Sequence, residues 1–353
     1  MLLDSVVDYT SQRLSRPDVG IGVIGCGGII EHHLQAYVDA GLKVVALCDL
    51  QLGRAEKCRS KYFPNASVTD NYQELLRDHR VEVVDVATHP DQRMPILRDA
   101  ILARKHVLSQ KPFVLDVDEG YRLVDLAEQK KIQLSVNQNG RFAPHFLLAR
   151  KLIAHGALGE TFASHLSVHW DHRWIESTVF NEVKHLILYD FAIHWFDIVR
   201  CLMLGQQPRF VFASTHRAHG QTAKPNMLGQ AMIDWDAGQS SLVFDGNVPF
   251  GPHDRTYVAG TKGSLLSEGI DYHHQSIRVA IGETTTQPTL QGRWFSDAFR
   301  GTMVEFLLSL EQNRVSELNA RDNLRSLELC FAAVASAQDG ERKVPGQIRR
   351  LPD

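Results

Sequence analysis

The sequence predicts an α/β protein: an amino-terminal doubly wound domain on a parallel sheet, then an α+β domain with a large, open, mainly antiparallel sheet. Three observations predict it. Short apolar runs alternate with helix-length amphipathic segments up to about residue 140. Beyond that point strand-like runs separated by turn residues dominate. A chain of 353 residues also exceeds what one hydrophobic core usually supports, so two domains are expected.

From residue 19, "VGIGVIG" reads as a buried strand and "GIIEHHLQAYVDAG" as an amphipathic helix; "KVVALCDL" and "GRAEKCRSKYF" repeat the pair. The series continues through "VEVVDVATHP", "MPILRDAILARK", "HVLSQKP", "VDEGYRLVDLAEQKK" and "IQLSVNQN". β-branched runs separated by helices indicate parallel strands joined by crossovers, which places the first domain at 1–140. After "GRFAPHFLLARKLIAHGALG" come "TFASHLSVHW", "RFVFASTHRA", "LGQAMIDWDA", "QSSLVFDGN", "RTYVAGTKGSLLSE" and "HQSIRVAIG", the strands of a second domain at 141–353. The helix in "ARDNLRSLELCFAAVASAQDG", about 320–338, can pack on either domain.

Composition excludes several function classes. With 44% hydrophobic and 22% charged residues the chain is ordinary globular protein, and a net charge of −3 offers nothing to nucleic acid or an anionic membrane. No run approaches the ~18 apolar residues of a membrane span. The opening "MLLDSVVDYTSQRLSRPD" lacks a basic region before an apolar core, so it does not read as an export signal. Five cysteines without a C-x-x-C pair read as free thiols in a reducing compartment, and a cytoplasmic location is expected.

The glycine pattern G-x-G-x-x-G matches literally at Gly20, Gly22 and Gly25, but Gly20 and Gly22 fall inside the apolar run of the first strand. Read from Gly25 instead, the pattern has a chemical meaning. Gly25 turns the chain out of the strand, Gly27 lets backbone approach a pyrophosphate, and a helix opening near Gly28 offers free N–H groups to the anion. The third glycine position falls on Ile30. Asp49, at the end of the second strand, is placed to accept hydrogen bonds from both hydroxyls of an adenosine ribose, which favours NAD; Arg54 nearby leaves NADP open. Cys26 in the turn reads as a small space-filling residue.

"VATHP", "KHVLSQKP", "VNQNGRF", "VIGCGGIIEHH", "CDLQLGRAE", "YDFAIHWFD" and "GTKGSL" occur in an order and spacing that resemble the glucose-fructose oxidoreductase and inositol dehydrogenase family (Gfo/Idh/MocA). The resemblance runs from about 19 to 345. It implies a Rossmann dinucleotide-binding domain and an NAD(P)-dependent oxidoreductase. It also implies cofactor contacts at Gly25, Gly27, Gly28, Ile29, Ile30, Asp49, Arg54, Thr88, His89, Gln110, Lys111 and Asn139. The sequence departs from the family pattern at Gln110, where Glu is usual before Lys-Pro, at Ile30, and at Arg93, where His is common.

Asp190 and His194 are four residues apart, so on one helix they share a face and can act on one small ligand. Oxidising an alcohol needs a base for the hydroxyl proton, which suits His194, with Asp190 orienting the hydroxyl or holding the imidazolium. Lys111 can bridge the nicotinamide ribose and the reacting oxygen and stabilise developing charge. The resemblance gives these three similar catalytic roles. The bland reading of Asp190 and His194 is a polar pair beside the core face of Leu186, Ile187, Phe191 and Ile198.

In "SHLSVHWDHRW", strand alternation puts His165, Ser167 and His169 on one face, with Asp171 next. That face can line a polyol pocket, with His169, Asp171 and Trp174 (or Trp170) as substrate contacts, or it can be a polar sheet face at a subunit contact. No matched pair of ligand motifs marks a metal site. The expected function is oxidation of a secondary alcohol of a sugar, inositol or related polyol with NAD. The alternatives are an NAD-dependent glycosidase working by transient oxidation and elimination, and a dinucleotide-binding sensor without turnover. An exposed open sheet predicts a homodimer or homotetramer.

Overall fold

The computed structural model describes residues 14–353; the amino-terminal stretch read for an export signal lies mostly outside the described residues. The chain divides into two compact units. One holds residues 14–142 with Phe295–Leu324, the other Ala143–Trp294 with Arg325–Asp353.

In the first unit, strands β1 (Gly20–Ile24), β2 (Lys43–Cys48), β3 (Ser67–Thr69), β4 (Val83–Val86), β5 (His106–Gln110) and β6 (Leu134–Asn137) form one parallel sheet in the order β3-β2-β1-β4-β5-β6. The crossovers carry helices α1 (Ile30–Asp39), α2 (Leu52–Tyr62), α3 (Tyr72–Arg77), α4 (Pro90–Leu102) and α5 (Val117–Lys130). Ile21 and Val23 have no exposed surface, as a strand covered on both faces requires. The strand order reverses between β1 and β4, so the carboxyl ends of these two strands frame the crevice where such sheets take ligands.

The second unit contains α6 (Pro144–Ala154), β7 (Thr161–His169), α7 (Ile193–Leu202) and strands β8 (Pro208–His216), β9 (Leu228–Trp235), β10 (Gly238–Asp245), β11 (His253–Gly260), β12 (Gly263–Gly269), β13 (Gln275–Ile281) and β14 (Thr284–Thr286). The sheet order is β14-β13-β12-β11-β7-β10-β9-β8, antiparallel except where β7 meets β10. One face carries Leu166, Val168, Leu242 and Phe244, all buried, and takes α7 through Trp195, whose ring lies 5.5 Å from Phe244. On the other face the register aligns Phe212, Met232, Ser241, His165, Tyr257 and Leu266 in one row across the strands. Met232 there is 59% exposed.

The chain leaves the first unit after Phe142 and returns at Phe295 with α8 (Asp297–Glu311). The return is driven by burial: Phe299, Met303, Phe306 and Leu307 of α8 share a core with Ile21, Ile30 and Leu34. A boundary at 140 therefore leaves out a segment that belongs to the first unit. Helix α9 (Ala320–Asp339), which the sequence left open between the two, begins in the first unit and continues from Arg325 in the second.

Candidate active site

The turn after β1 is built as the shifted glycine reading expects. A Cβ on Gly20 would sit 1.8 Å from the Arg80 carbonyl oxygen, and one on Gly22 2.8 Å from Leu75 Cδ2, so both serve strand packing. Gly25 has φ +97° and its Cβ would lie 2.9 Å from the Ala87 carbonyl carbon. That conformation and that space belong to glycine. At Gly27 and Gly28 a Cβ meets nothing within 4 Å, which leaves their backbone open beside the start of α1.

Asp49 ties this turn to the end of β2. Its Oδ2 accepts from Cys26 N–H at 2.7 Å and its Oδ1 from Gln51 N–H at 2.8 Å, leaving lone pairs on both oxygens for ribose hydroxyls. Arg54 is exposed in the first turn of α2. Cys26 is buried and its thiol is pushed up, first by its hydrogen bond with Cys58 and then by burial, so it fills space. All five cysteines are free thiols.

Two expected cofactor contacts have other work. Ile30 is fully buried in the core and its N–H donates to the Gly27 carbonyl at 3.2 Å, so neither its side chain nor its amide faces a ligand. The helix opens there rather than at Gly28, with Ile29 as its half-buried cap. Gln110 is 4% exposed, and its side chain lies between His33 and the Lys111 N–H. Thr88 and His89 sit at the carboxyl end of β4, where His89 caps α4. Asn139 is buried in the 3-10 turn Asn139–Phe142. Lys111, half-buried, follows the end of β5.

In the second unit, Asp190 and His194 do not lie on one regular α-helix. A π-helical turn, Ile187–Phe191, carries Asp190 and closes with Ala192 N–H donating to the Ile187 carbonyl at 3.0 Å; His194 is in the first turn of α7. Such widened turns recur at functional sites, because they re-aim side chains that regular spacing would stack. His194 is 8% exposed, with the Trp294 ring 5.6 Å and the Trp195 ring 6.2 Å away, both edge-on. Trp170 and Tyr272 extend this aromatic wall, at 5.4 Å from Trp195 and 5.4 Å from Trp294 respectively.

His165, Ser167 and His169 do share a face of β7, but it is the open one. Val168 pairs in register with Phe244, which packs on Trp195, so the intervening His169 points away from the helix that carries His194. It pairs instead with Asp245 at 2.7 Å, and His165 with Ser241 at 2.7 Å. This removes His169 from the substrate set. Asp171, held by Arg173 at 2.7 Å, and the half-exposed Trp174 line an open cavity of about 620 Å³ together with Glu176, His219 and Asn247.

Two family models match the chain. Residues 19–138 fit an oxidoreductase family with an NAD-binding Rossmann fold, and residues 146–266 fit the GFO/IDH/MocA carboxyl-terminal domain. The protein belongs to the Gfo/Idh/MocA family. It is 25% identical over 331 residues to an inositol 2-dehydrogenase of Rhizobium meliloti, covering 91% of this chain and 97% of that one. A D-apiose dehydrogenase of Paraburkholderia graminis is 25% identical over 337 residues, covering 90% and 87%. Among solved structures, an Agrobacterium radiobacter oxidoreductase with NAD+, L-tartaric acid and magnesium superposes with a TM-score of 0.81 at 21% identity, covering 93% and 99%. A Lactobacillus casei scyllo-inositol dehydrogenase with NAD(H) and scyllo-inositol gives 0.79 at 19%, with the same coverage.

This Gfo/Idh/MocA chain is an oxidoreductase whose first domain binds NAD. The open backbone at Gly27 and Gly28, the N-terminus of α1 and the Asp49 carboxylate fit a dinucleotide's pyrophosphate and ribose. Sequence reasoning missed the residues that brace Lys111. Arg93, 1% exposed, donates to the carbonyls of Thr88, Gln110 and Pro112, so the His usual in the family is replaced by a guanidinium that grips the backbone around Lys111. Asp85, buried in β4 and paired with His33 at 2.7 Å, left one mark in the sequence, a carboxylate inside the apolar run Val83-Val84-Asp85-Val86, though not the identity of its partner. No helix among the described residues is long and apolar enough to cross a membrane.

Proposed function

We propose that the protein is an NAD-dependent dehydrogenase that oxidises a secondary alcohol of a sugar, inositol or related polyol. The observation that carries this reading is the setting of His194: an imidazole with little exposure, walled by Trp195 and Trp294 and one turn from Asp190. Aromatic walls receive the apolar face of a carbohydrate ring, while imidazole and carboxylate address its hydroxyls. The inositol 2-dehydrogenase and D-apiose dehydrogenase relatives support the same substrate class.

When bound, NAD supplies a hydride acceptor at C4 of its nicotinamide. Gly25, Gly27, Gly28 and Asp49 hold the dinucleotide, and Asp49 disfavours a 2′-phosphate. His194 takes the hydroxyl proton as the carbon loses hydride, Asp190 orients that hydroxyl, and Lys111 stabilises charge developing on the oxygen. Asp171 and Trp174 read more distant hydroxyls. We assign the open sheet face to a second copy of the chain, because the row containing Phe212, Met232, Tyr257 and Leu266 is too apolar to remain wet. Light scattering is expected to give a dimer or tetramer that Met232→Glu dissociates; a monomeric wild type refutes the assignment.

The test is a screen of the purified protein with NAD or NADP against inositols, polyols and sugars, following reduced cofactor. Reduction of NAD by a member of the panel is expected. Clear preference for NADP removes the role of Asp49, and sugar release without accumulated NADH makes the protein a glycosidase.

A further inference from the structure

The first unit buries a line of polar side chains that ends at Lys111. The Lys111 N–H donates to Gln110 Oε1 at 2.6 Å. A backbone N–H can only donate, so the Gln110 carboxamide must turn its oxygen to Lys111 and its NH2 away. That NH2 lies 3.0 Å from His33 Nε2, and the Asn137 NH2 lies 3.5 Å from the same nitrogen. Nε2 therefore accepts, and the imidazole proton sits on Nδ1, donated to Asp85 Oδ2 at 2.7 Å. The Tyr37 hydroxyl donates to the same oxygen at 2.7 Å. Every donor points one way, from Lys111 to Asp85. His33, Asp85 and Asn137 have no exposed surface, so water cannot replace a lost partner. The ionisable groups facing His33 are Asp85 and Tyr37, with His32 beside it in the chain and the Phe299 ring closing the remaining side at 4.6 Å.

We propose that Asp85, His33 and Gln110 are positioning residues for Lys111, and that position 110 requires an amide because the carboxylate of the line stands at 85. The proposal rests on the role given to Lys111 above. It explains the departure at 110: a Glu there would accept from Lys111 but could not donate to His33, which would have to become an imidazolium between two buried carboxylates. Asp85→Asn alone leaves a buried NH2 without an acceptor. The double variant Asp85→Asn with Gln110→Glu moves the single carboxylate to the other side of His33. Its Nε2–H then donates to Glu, and its Nδ1 accepts from Asn, so both imidazole nitrogens are satisfied again, at the cost of the acceptor that the Tyr37 hydroxyl has in Asp85.

Two measurements on the full chain test this, and neither needs a substrate, so their failure is distinct from failure of the polyol reading. In the wild type, 15N shifts of His33, assigned with His33→Gln, are expected to show a proton on Nδ1 and none on Nε2. A protonated Nε2 overturns the proposal. In NAD titrations, each single substitution is expected to weaken binding about tenfold and the double to recover to within about threefold of wild type, a coupling of the size contacting residues show. In a Lys111→Ala background the same substitutions are expected to cost no further affinity. Additive losses in the double, or undiminished losses without Lys111, overturn it.

Discussion

Gly20 and Gly27 are both glycines of the β1 region, and substituting each by alanine has a different consequence. Gly20→Ala drives a methyl into the Arg80 carbonyl, and loss of the cooperative melting transition is expected. Gly27→Ala meets nothing, so the melting midpoint is expected to hold while NAD affinity falls about tenfold or more, where backbone must approach the pyrophosphate. His194→Ala is expected to lower kcat by about 10² or more on the identified substrate, the scale of losing a general base. An unchanged kcat removes His194 from the chemistry. The placement of Gly25 in the turn after β1 and of Asp49 at the end of β2 was legible in the sequence because turn and strand-end patterns are local. His169 was not: alternation shows that His165, Ser167 and His169 share a face, but which face receives α7 depends on packing far along the chain. Asp85 and His33 meet across 52 positions, beyond the reach of any local pattern.

The elements nearest the site depart from regular spacing where function and packing ask for it. The sequence spacing of Asp190 and His194 predicts one α-helix, and the π-helical turn Ile187–Phe191 replaces its first part. Nothing in residue types alone announces a widened turn, since it needs only one hydrogen bond to shift register. Ile30 is the reverse case. It is read as a flaw in the glycine pattern, whereas the structure makes it a core residue of α1 packed with Phe299 and Met303 of α8. Restoring the pattern with Ile30→Gly is therefore expected to destabilise the first unit by roughly 3–5 kcal/mol, from the cavity and the added helix flexibility. Thermal or denaturant unfolding reads this directly, and a neutral or stabilising result would show that the turn prefers its third glycine.

At the scale of the molecule, alternating strands and helices made the parallel first sheet readable and the strand-rich half announced an open sheet, but the strand order and the return of Phe295–Leu324 to the first unit were hidden. Its apolar face reads like any core helix; only the partner face on α1 decides where it goes. Stability against pH carries a signature of the second unit. Burial, and then the neighbouring Asp271, raises Asp254 from 3.8 to about 7. A raised carboxyl contributes stability below its unfolded value that is lost as pH rises towards 7. His145 and His172, lowered by burial to about 3 and about 4, act oppositely and lose stability as pH falls. Asp254→Asn removes only the first contribution, so the difference in melting midpoint, variant minus wild type, is expected to rise between about pH 4 and pH 7. A flat difference would mean that Asp254 ionises as an exposed carboxyl does. The proposed passage of hydride from a carbinol carbon of a polyol to NAD can be followed through the hydrogen itself. With the best alcohol of the panel deuterated at the reacting carbon, mass spectrometry is expected to find one deuterium in the reduced cofactor for each ketone formed. Reduced cofactor without deuterium, or product released with no reduced cofactor accumulating, would contradict the account.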